Sequence, residues 1–425
     1  MKLIIIGAGP GGYETAAEAA AKGIETILIS DGPLGGTCLN EGCIPTKTLC
    51  AMSAPDQERK AAVISQLQAG IAQLLKASKV TLVQGRAQLA GPRSVSVGDT
   101  IYEADAVIIA TGSVSASLPI PGADLTVDST AMLNLTEVPQ RLCVIGGGVI
   151  GLEFASVYAR FGSDVTVLEF CPGVLPRFDV DLAKRLKASL AKRGIKIETS
   201  ARVTSVTQEE GIRRVHWLKG DKEFPTDADC VLMAVGRRPN LSTLDLTAAG
   251  IEFTPRGIKV DADMQTNVPG VYAIGDVTGG MMLAHVASAQ GRVALAHICG
   301  EPCGIDLSLV PAAVFTVPEV ATVGLTEEEC EGRETVVGKS NYRANGKSVA
   351  SGEADGYCKV IADPATGRLL GAHILGAHAS DLIHEAAVLI ALGATAPQAR
   401  DIIHAHPTVS EVLRDAIADA CRRLS

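Results

Sequence analysis

The chain has 425 residues, too many for one ordinary domain and enough for about two to four. Charged residues at 20% and hydrophobic residues at 47% give a globular balance with no sign of disorder. Aromatic residues at 3%, a net charge of −9 and the lack of a dense Lys/Arg stripe leave a nucleic-acid-binding surface unsupported.

The N-terminus opens Met1-Lys2-Leu3-Ile4-Ile5-Ile6-Gly7, an apolar run that reaches glycine too soon for a signal peptide or a spanning helix. No later window reaches the length of such a segment without charges or glycines, so the expectation is a soluble cytoplasmic protein with no membrane partner. The run reads as a strand. Gly7-Ala8-Gly9-Pro10-Gly11-Gly12 follows, then an alanine-rich helix and a second strand Thr26 to Ile29. This is a βαβ unit with a dinucleotide fingerprint at its first turn. Gly7 permits the tight turn, Gly9 lets the backbone approach a pyrophosphate, and the helix N-terminus offers free N–H groups and its positive dipole end. The residue closing the second strand normally binds the adenosine ribose; here it is Ser30, with Asp31 immediately after it.

Next comes Gly35-Gly36-Thr37-Cys38-Leu39-Asn40-Glu41-Gly42-Cys43-Ile44-Pro45-Thr46-Lys47. Cysteines five apart in a regular helix would be offset by roughly 7.5 Å along the axis, whereas a disulfide wants its Cα atoms within about 6.8 Å. The pair therefore predicts a distorted turn entering a helix, which Gly42 permits. So small a loop restrains the unfolded chain little, making redox work a better explanation than stapling. A helix N-terminus would also depress a thiol pKa and favour the thiolate that exchange needs. Zinc would require two more ligands, and no nearby Cys/His cluster supplies them. The remaining cysteines, of eleven in all, are scattered singly and read as small buried hydrophobes in a reducing compartment.

An apolar strand Ala106–Ile109 then ends in Ala110-Thr111-Gly112. Leu142 to Glu169 repeats the first design: a strand, Gly146-Gly147-Gly148-Val149-Ile150-Gly151, a helix through Arg160, and a strand Asp164 to Leu168. Gly146 and Gly148 match Gly7 and Gly9, and Gly151 matches Gly12. Two such units about 140 residues apart imply two dinucleotides. Here Glu169 closes the second strand; its carboxylate would accept from a 2′-OH and repel a 2′-phosphate, which favours NAD over NADP. Strand Cys230–Met233 ends in Ala234-Val235-Gly236, and Val271-Tyr272-Ala273-Ile274-Gly275-Asp276 is another strand ending in a glycine and an acid. After Pro311 strand-like runs give way to helices from Ser380 onward. Near the end, His404-Ala405-His406-Pro407-Thr408-Val409-Ser410-Glu411 contains a capping box, Thr408-x-x-Glu411, that could equally place Glu411 to orient His406. His404 beside His406 reads as structural, and no metal is expected.

The segment Gly35 to Lys47 resembles the active-site motif of the flavin disulfide reductases, the dihydrolipoamide dehydrogenases in particular. The resemblance spans nearly the whole chain, through both fingerprints, Gly151-Leu152-Glu153-Phe154-Ala155-Ser156, Gly275-Asp276 and His404 to Glu411. It implies an α/β fold of two Rossmann-like domains, for FAD and NAD, with a C-terminal α+β dimerisation domain. The expected division is FAD domain 1–137, NAD domain 138–265, FAD domain resumed 266–308, and interface domain 309–425. By the same resemblance Cys38 is the interchange thiol, Cys43 lies against the flavin, and Lys47 pairs with Glu153. Asp276 binds the FAD ribityl chain, with Thr37, Thr111, Gly112 and Ala284 also in the FAD site. His406 is the acid/base catalyst, oriented by Glu411 and contributed by the other subunit of a homodimer.

The expected activity is NAD+-dependent oxidation of dihydrolipoyl groups, free or on a carrier protein. A mercuric reductase would carry a C-terminal cysteine pair, where only Cys421 stands; a glutathione reductase would place basic residues where Phe170-Cys171-Pro172-Gly173 stands. Between Cys43 and Thr111 the chain is shorter than usual for the family, which leaves another carrier or a small disulfide open. Two rivals from other classes are an NADH:quinone or dye reductase that ignores the thiols, and a non-catalytic binding protein. Replacing Cys38 separates the first from the dithiol chemistry, and the joint presence of Cys38, Cys43, Lys47, Glu153, His406 and Glu411 argues against the second.

Overall fold

The computed structural model describes residues 1–91 and 93–424. They form two compact units: Met1–Ala116 with Asp128–Thr136 and Gly236–Leu307, and Ser117–Val127 with Glu137–Val235 and the chain from Ser308 onward.

The first unit is built on a five-stranded parallel sheet. Its spatial order is Val271–Ala273, Ala106–Ile109, Lys2–Ile6, Glu25–Ser30, Thr81–Gln84. That is the dinucleotide-fold order, in which the strand sequence reverses between Lys2–Ile6 and Ala106–Ile109. The unbroken apolar run Leu3 to Ile6 follows from burial on both faces. Leu3 and Ile5 join one core with Leu28 and Ile108, while Ile4 and Ile6 join another with Ile29 and Ile109. An antiparallel sheet of Ala87–Gly91, Ser94–Val97 and Thr100–Glu103 contributes Ala87 and Val95 to the second core. On the other face, helices Pro10–Ala21 and Ala284–Cys299 meet through small residues: a Cβ on Gly11 would lie 3.0 Å from Ala287. A two-stranded ribbon, Ser113–Ser115 against Arg237–Pro239, completes the unit.

The second unit repeats the parallel core as Lys196–Thr199, Asp164–Glu169, Arg141–Ile145, Cys230–Met233. Beside it lies an antiparallel sheet of Arg202–Glu209, Ile212–Lys219 and Lys222–Ala228. The rest of this unit is α+β. Five antiparallel strands run in the order Ala312–Val314, Val320–Gly324, Leu369–Leu375, Tyr357–Ala362, Val336–Asn341, with helices Ala379–Ala391, Ala396–Arg400 and Glu411–Leu424. The last helix crosses Val336–Asn341 so closely that a Cβ on Gly338 would lie 2.1 Å from the Ala416 carbonyl oxygen. Lys359 fastens this part to the second dinucleotide fold. Its ammonium, fully buried, lies 2.6 Å from both Asp179 and Glu327, and Asp179 also caps helix Val180–Lys192. Removing one partner of such a buried pair costs about 3–5 kcal/mol, because the other charge is left uncompensated. Among the described residues no helix is long and apolar enough to cross a membrane.

Strands Ala106–Ile109 and Cys230–Met233 and the helix end at Arg160 fall at the expected residues. The two parallel βαβ cores and the C-terminal α+β part likewise follow the sequence reading.

Candidate redox and dinucleotide-binding sites

Both fingerprints are built alike, each at the edge between the first and fourth strands of its sheet. Gly7 and Gly146 take φ of 110° and 114°, and a Cβ there would lie 2.2 and 2.3 Å from the carbonyl oxygens of Ala110 and Ala234. Gly12 and Gly151 pack against the turn itself, where a Cβ would reach 1.8 and 2.0 Å from the oxygens of Gly7 and Gly146. Gly9 and Gly148 differ: nothing lies within 4 Å of a Cβ built on either. They are the helix N-caps, neither helix has a side-chain cap or an acid in its first turn, and so the N–H groups and dipole face open space. That cradle fits a dinucleotide pyrophosphate in each half.

The strand ends differ as the sequence indicated. Glu169 is buried, and its carboxylate accepts from the Gly147 N–H and, at 2.6 Å, from the Cys171 N–H. The acid is thus pinned beside the glycine turn, where a ribose diol would donate to it. At the equivalent place Ser30 closes its hydroxyl on the Gly32 carbonyl at 2.9 Å, and Asp31 is exposed.

Around the first fingerprint, Thr111 donates to the Asn240 carbonyl at 3.2 Å and Gly112 accepts from the Asn240 N–H at 2.9 Å. Gly275 donates its N–H to Gln290 at 2.7 Å, and both Gly275 and Gly11 abut Ala287 in the helix that Ala284 begins. This brings Gly275-Asp276 to the fingerprint helix. Gly236 takes φ of 112° and accepts from the Ala116 N–H at 3.0 Å. Asn240, Gln290, Ser113 and Arg237 were not singled out from the sequence; adjacency to glycine-ended strands was the only signal for three of them, and Gln290 had none.

The cysteine segment breaks as its spacing requires. Helix Gly36–Glu41 carries Thr37 and Cys38, Gly42 interrupts it, and helix Cys43–Cys50 starts afresh with Cys43 as its first residue. A Cβ on Gly42 would lie 3.0 Å from the Thr37 carbonyl oxygen, so the kink draws the two helices together. Asn40 braces the first turn through Leu34 and Gly36, and Thr46 bonds back to Gly42 at 2.6 Å. Neither thiol is in a disulfide, and the two hydrogen-bond to one another. The expected depression of the thiol pKa does not hold at Cys38. The bond to Cys43 raises it most, burial next and the charge of Cys43 after that, while the Lys47 ammonium pulls the other way. In the reduced pair this disfavours the Cys38 thiolate beside Cys43.

In the second unit Glu153, buried on helix Val149–Arg160, accepts from the Phe315 N–H at 2.9 Å, and Ser156 accepts from the Val317 N–H at 3.1 Å. His406 stands 76% exposed, its Nδ1 3.1 Å from both oxygens of Glu411, whose side chain is 7% exposed. Glu411 also accepts from the Thr408 N–H at 3.0 Å, and Arg414 adds a bond at 2.9 Å; the expected capping box does not form, because the helix begins at Glu411 itself and Thr408 lies ahead of it. The Thr408 hydroxyl turns instead to the Ala405 carbonyl. These donors hold the Glu411 carboxyl below its ordinary value, the Thr408 N–H most strongly among them and His406 next. His404 is held by Glu385 at 2.8 Å and the Ile402 carbonyl at 3.0 Å. Among the described residues no group of three or more His, Cys, Asp or Glu is arranged to hold a metal.

Residues 1–291 match the pyridine nucleotide-disulphide oxidoreductase family and residues 310–417 its dimerisation domain. A dihydrolipoyl dehydrogenase of Bacillus subtilis (strain 168) is 38% identical, the comparison covering 98% of each chain. One from Geobacillus stearothermophilus is 39% identical over 98% of this chain and 95% of its own. The HOCl-induced flavoprotein disulfide reductase RclA from Escherichia coli superposes with a TM-score of 0.92 at 32% identity, over 98% of this chain and 99% of its own.

Proposed function

The chain belongs to the pyridine nucleotide-disulphide oxidoreductase family, flavoproteins that use FAD and NAD, and on that premise we propose that it oxidises dihydrolipoyl groups with NAD+. The observation that carries the reading is the Gly42 break, which puts the Cys43 thiol at a helix head in contact with Cys38 and one turn before Lys47. The curated relatives named dihydrolipoyl dehydrogenase supply the substrate class.

In the proposed cycle His406, oriented by Glu411 and contributed by the partner subunit of a homodimer, takes a proton from the substrate dithiol. The thiolate attacks Sγ of Cys38; the Cys38–Cys43 bond breaks and Cys43 leaves as thiolate. The substrate's second thiol then attacks the mixed disulfide, which expels Cys38, returns its proton through His406 and releases a cyclic disulfide. Two electrons have moved from substrate to the protein pair. Lys47, one turn after Cys43, balances the Cys43 charge. Gly7, Gly9, Gly12, Thr37, Thr111, Gly112, Asp276 and the Ala284 helix hold FAD, with Ser30 or Asp31 at its ribose; Gly146, Gly148, Gly151, Gly236 and Glu169 hold NAD. Bound FAD would supply a two-electron acceptor for the reduced Cys38–Cys43 pair, with NAD+ as the final acceptor.

The test is NAD+-dependent oxidation of dihydrolipoamide by the purified flavoprotein beside Cys38→Ser. We expect bound flavin in both and turnover in the parent alone. A flavin-loaded parent without lipoamide activity, but reduced by NADH at its thiols, would assign the chain to another disulfide. Dye reduction that survives in Cys38→Ser as the sole activity would favour a thiol-independent acceptor reductase.

A further inference from the structure

Arg237, Ser113 and Asp276 form a hydrogen-bonded chain that no step of the proposed cycle uses. Arg237 Nε lies 2.7 Å from Ser113 Oγ and Nη2 2.8 Å from the Ser113 carbonyl oxygen, while Ser113 Oγ lies 2.5 Å from Asp276 Oδ2. The direction is forced. A guanidinium only donates and a hydroxyl has one proton, so with Arg237 giving to Ser113, that proton must go to Asp276. Ser113 is buried, and its backbone is fixed in the ribbon where Ser113–Ser115 pairs with Arg237–Pro239. The serine thus has neither the freedom nor a second proton to point elsewhere. Asp276 Oδ1 has no hydrogen-bond partner among the described residues. The carboxylate sits in the short turn Gly275–Thr278, which abuts the fingerprint helix through Ala287.

We propose that Arg237 and Ser113 are positioning residues for the flavin: they hold one oxygen of Asp276 and so present the other to the cofactor's polyol hydroxyls. This rests on the reading that Asp276 meets FAD. It explains why the chain returns to the first unit through a charged strand, since the arginine at its head reaches across to the strand that follows Thr111-Gly112 and from there to the acid.

The experiment follows free-flavin fluorescence on dilution of the full-length holoprotein. Losing one hydrogen bond to a charged group should speed FAD release about tenfold in Ser113→Ala and in Arg237→Gln. Ser113→Thr, which restores the hydroxyl, should retain FAD as the parent does. In an Asp276→Ala background, adding Ser113→Ala should change release no further, because the relay then has nothing to orient. If Asp276→Asn loses FAD while Ser113→Ala and Arg237→Gln keep it, the relay is wrong and the Asp276 assignment stands. If Ser113→Ala weakens binding additively with Asp276→Ala, the serine is merely structural and the proposal also fails. Asp276→Asn that retains FAD would overturn the assignment beneath it.

Discussion

At the scale of single residues, one carboxylate carries two duties that the sequence left as alternatives. Glu411, the first residue of the last helix, fixes the preceding turn through the Thr408 N–H and also receives His406, because its two oxygens offer enough acceptor sites for both and for Arg414. Its depressed pKa fixes the sign of a pH effect. A carboxyl held below its ordinary value of 4.5 contributes stability that is fully present above 4.5 and is lost as pH falls through the lower folded value. Thermal unfolding of the parent and Glu411→Gln should therefore differ by a constant amount from neutrality down to about 4.5, and the difference should shrink and vanish as pH falls through the lower folded value. His406→Gln should retain flavin and fold, with turnover reduced about 10²–10⁴-fold, the usual worth of a general base, in the dihydrolipoamide assay. The Arg237–Ser113–Asp276 relay belongs to this scale too, and it was invisible in sequence because its members lie 124 and 163 positions apart.

Among elements, the strongest sequence inference was geometric: cysteines five apart cannot close a disulfide in a regular helix, and the chain obliges by restarting its helix at Cys43. The fingerprints were equally legible, but sequence alone could not say what each glycine avoids. The structure separates them. At Gly146 and Gly151 a Cβ would strike carbonyl oxygens of the protein, whereas at Gly148 it would enter open space. Gly148→Ala should therefore fold with a melting temperature near the parent's, yet bind NAD+ at least tenfold more weakly, about the cost of disturbing one or two charge-assisted bonds. Gly146→Ala should lower the melting temperature as well. Calorimetry and a nucleotide titration on the two variants distinguish these outcomes. A Gly148→Ala protein with unaltered NAD+ affinity would remove the second cradle from the nucleotide site.

For the whole molecule, the dimerisation domain matched by residues 310–417 frames the last prediction. If each site takes Cys38 from one subunit and His406 from the other, co-expressed Cys38→Ser and His406→Gln chains should regain about a quarter of parental activity. Half of randomly paired dimers are mixed, and each mixed dimer keeps one of two sites intact. Activity no higher than that of either variant alone would place both groups in one subunit. The local objects were legible in the order of residues: two βαβ fingerprints, an acid that disfavours a 2′-phosphate at Glu169, and the kinked redox turn. Each is written in contiguous residues whose spacing is set by strand and helix periods. Spatial packing was needed to show which oxygens the fingerprint glycines must clear, that Ser30 spends its hydroxyl on Gly32, and that Cys43 disfavours the Cys38 thiolate. Those outcomes depend on burial and on hydrogen-bond partners brought together through space, and the order of residues along a chain does not encode them.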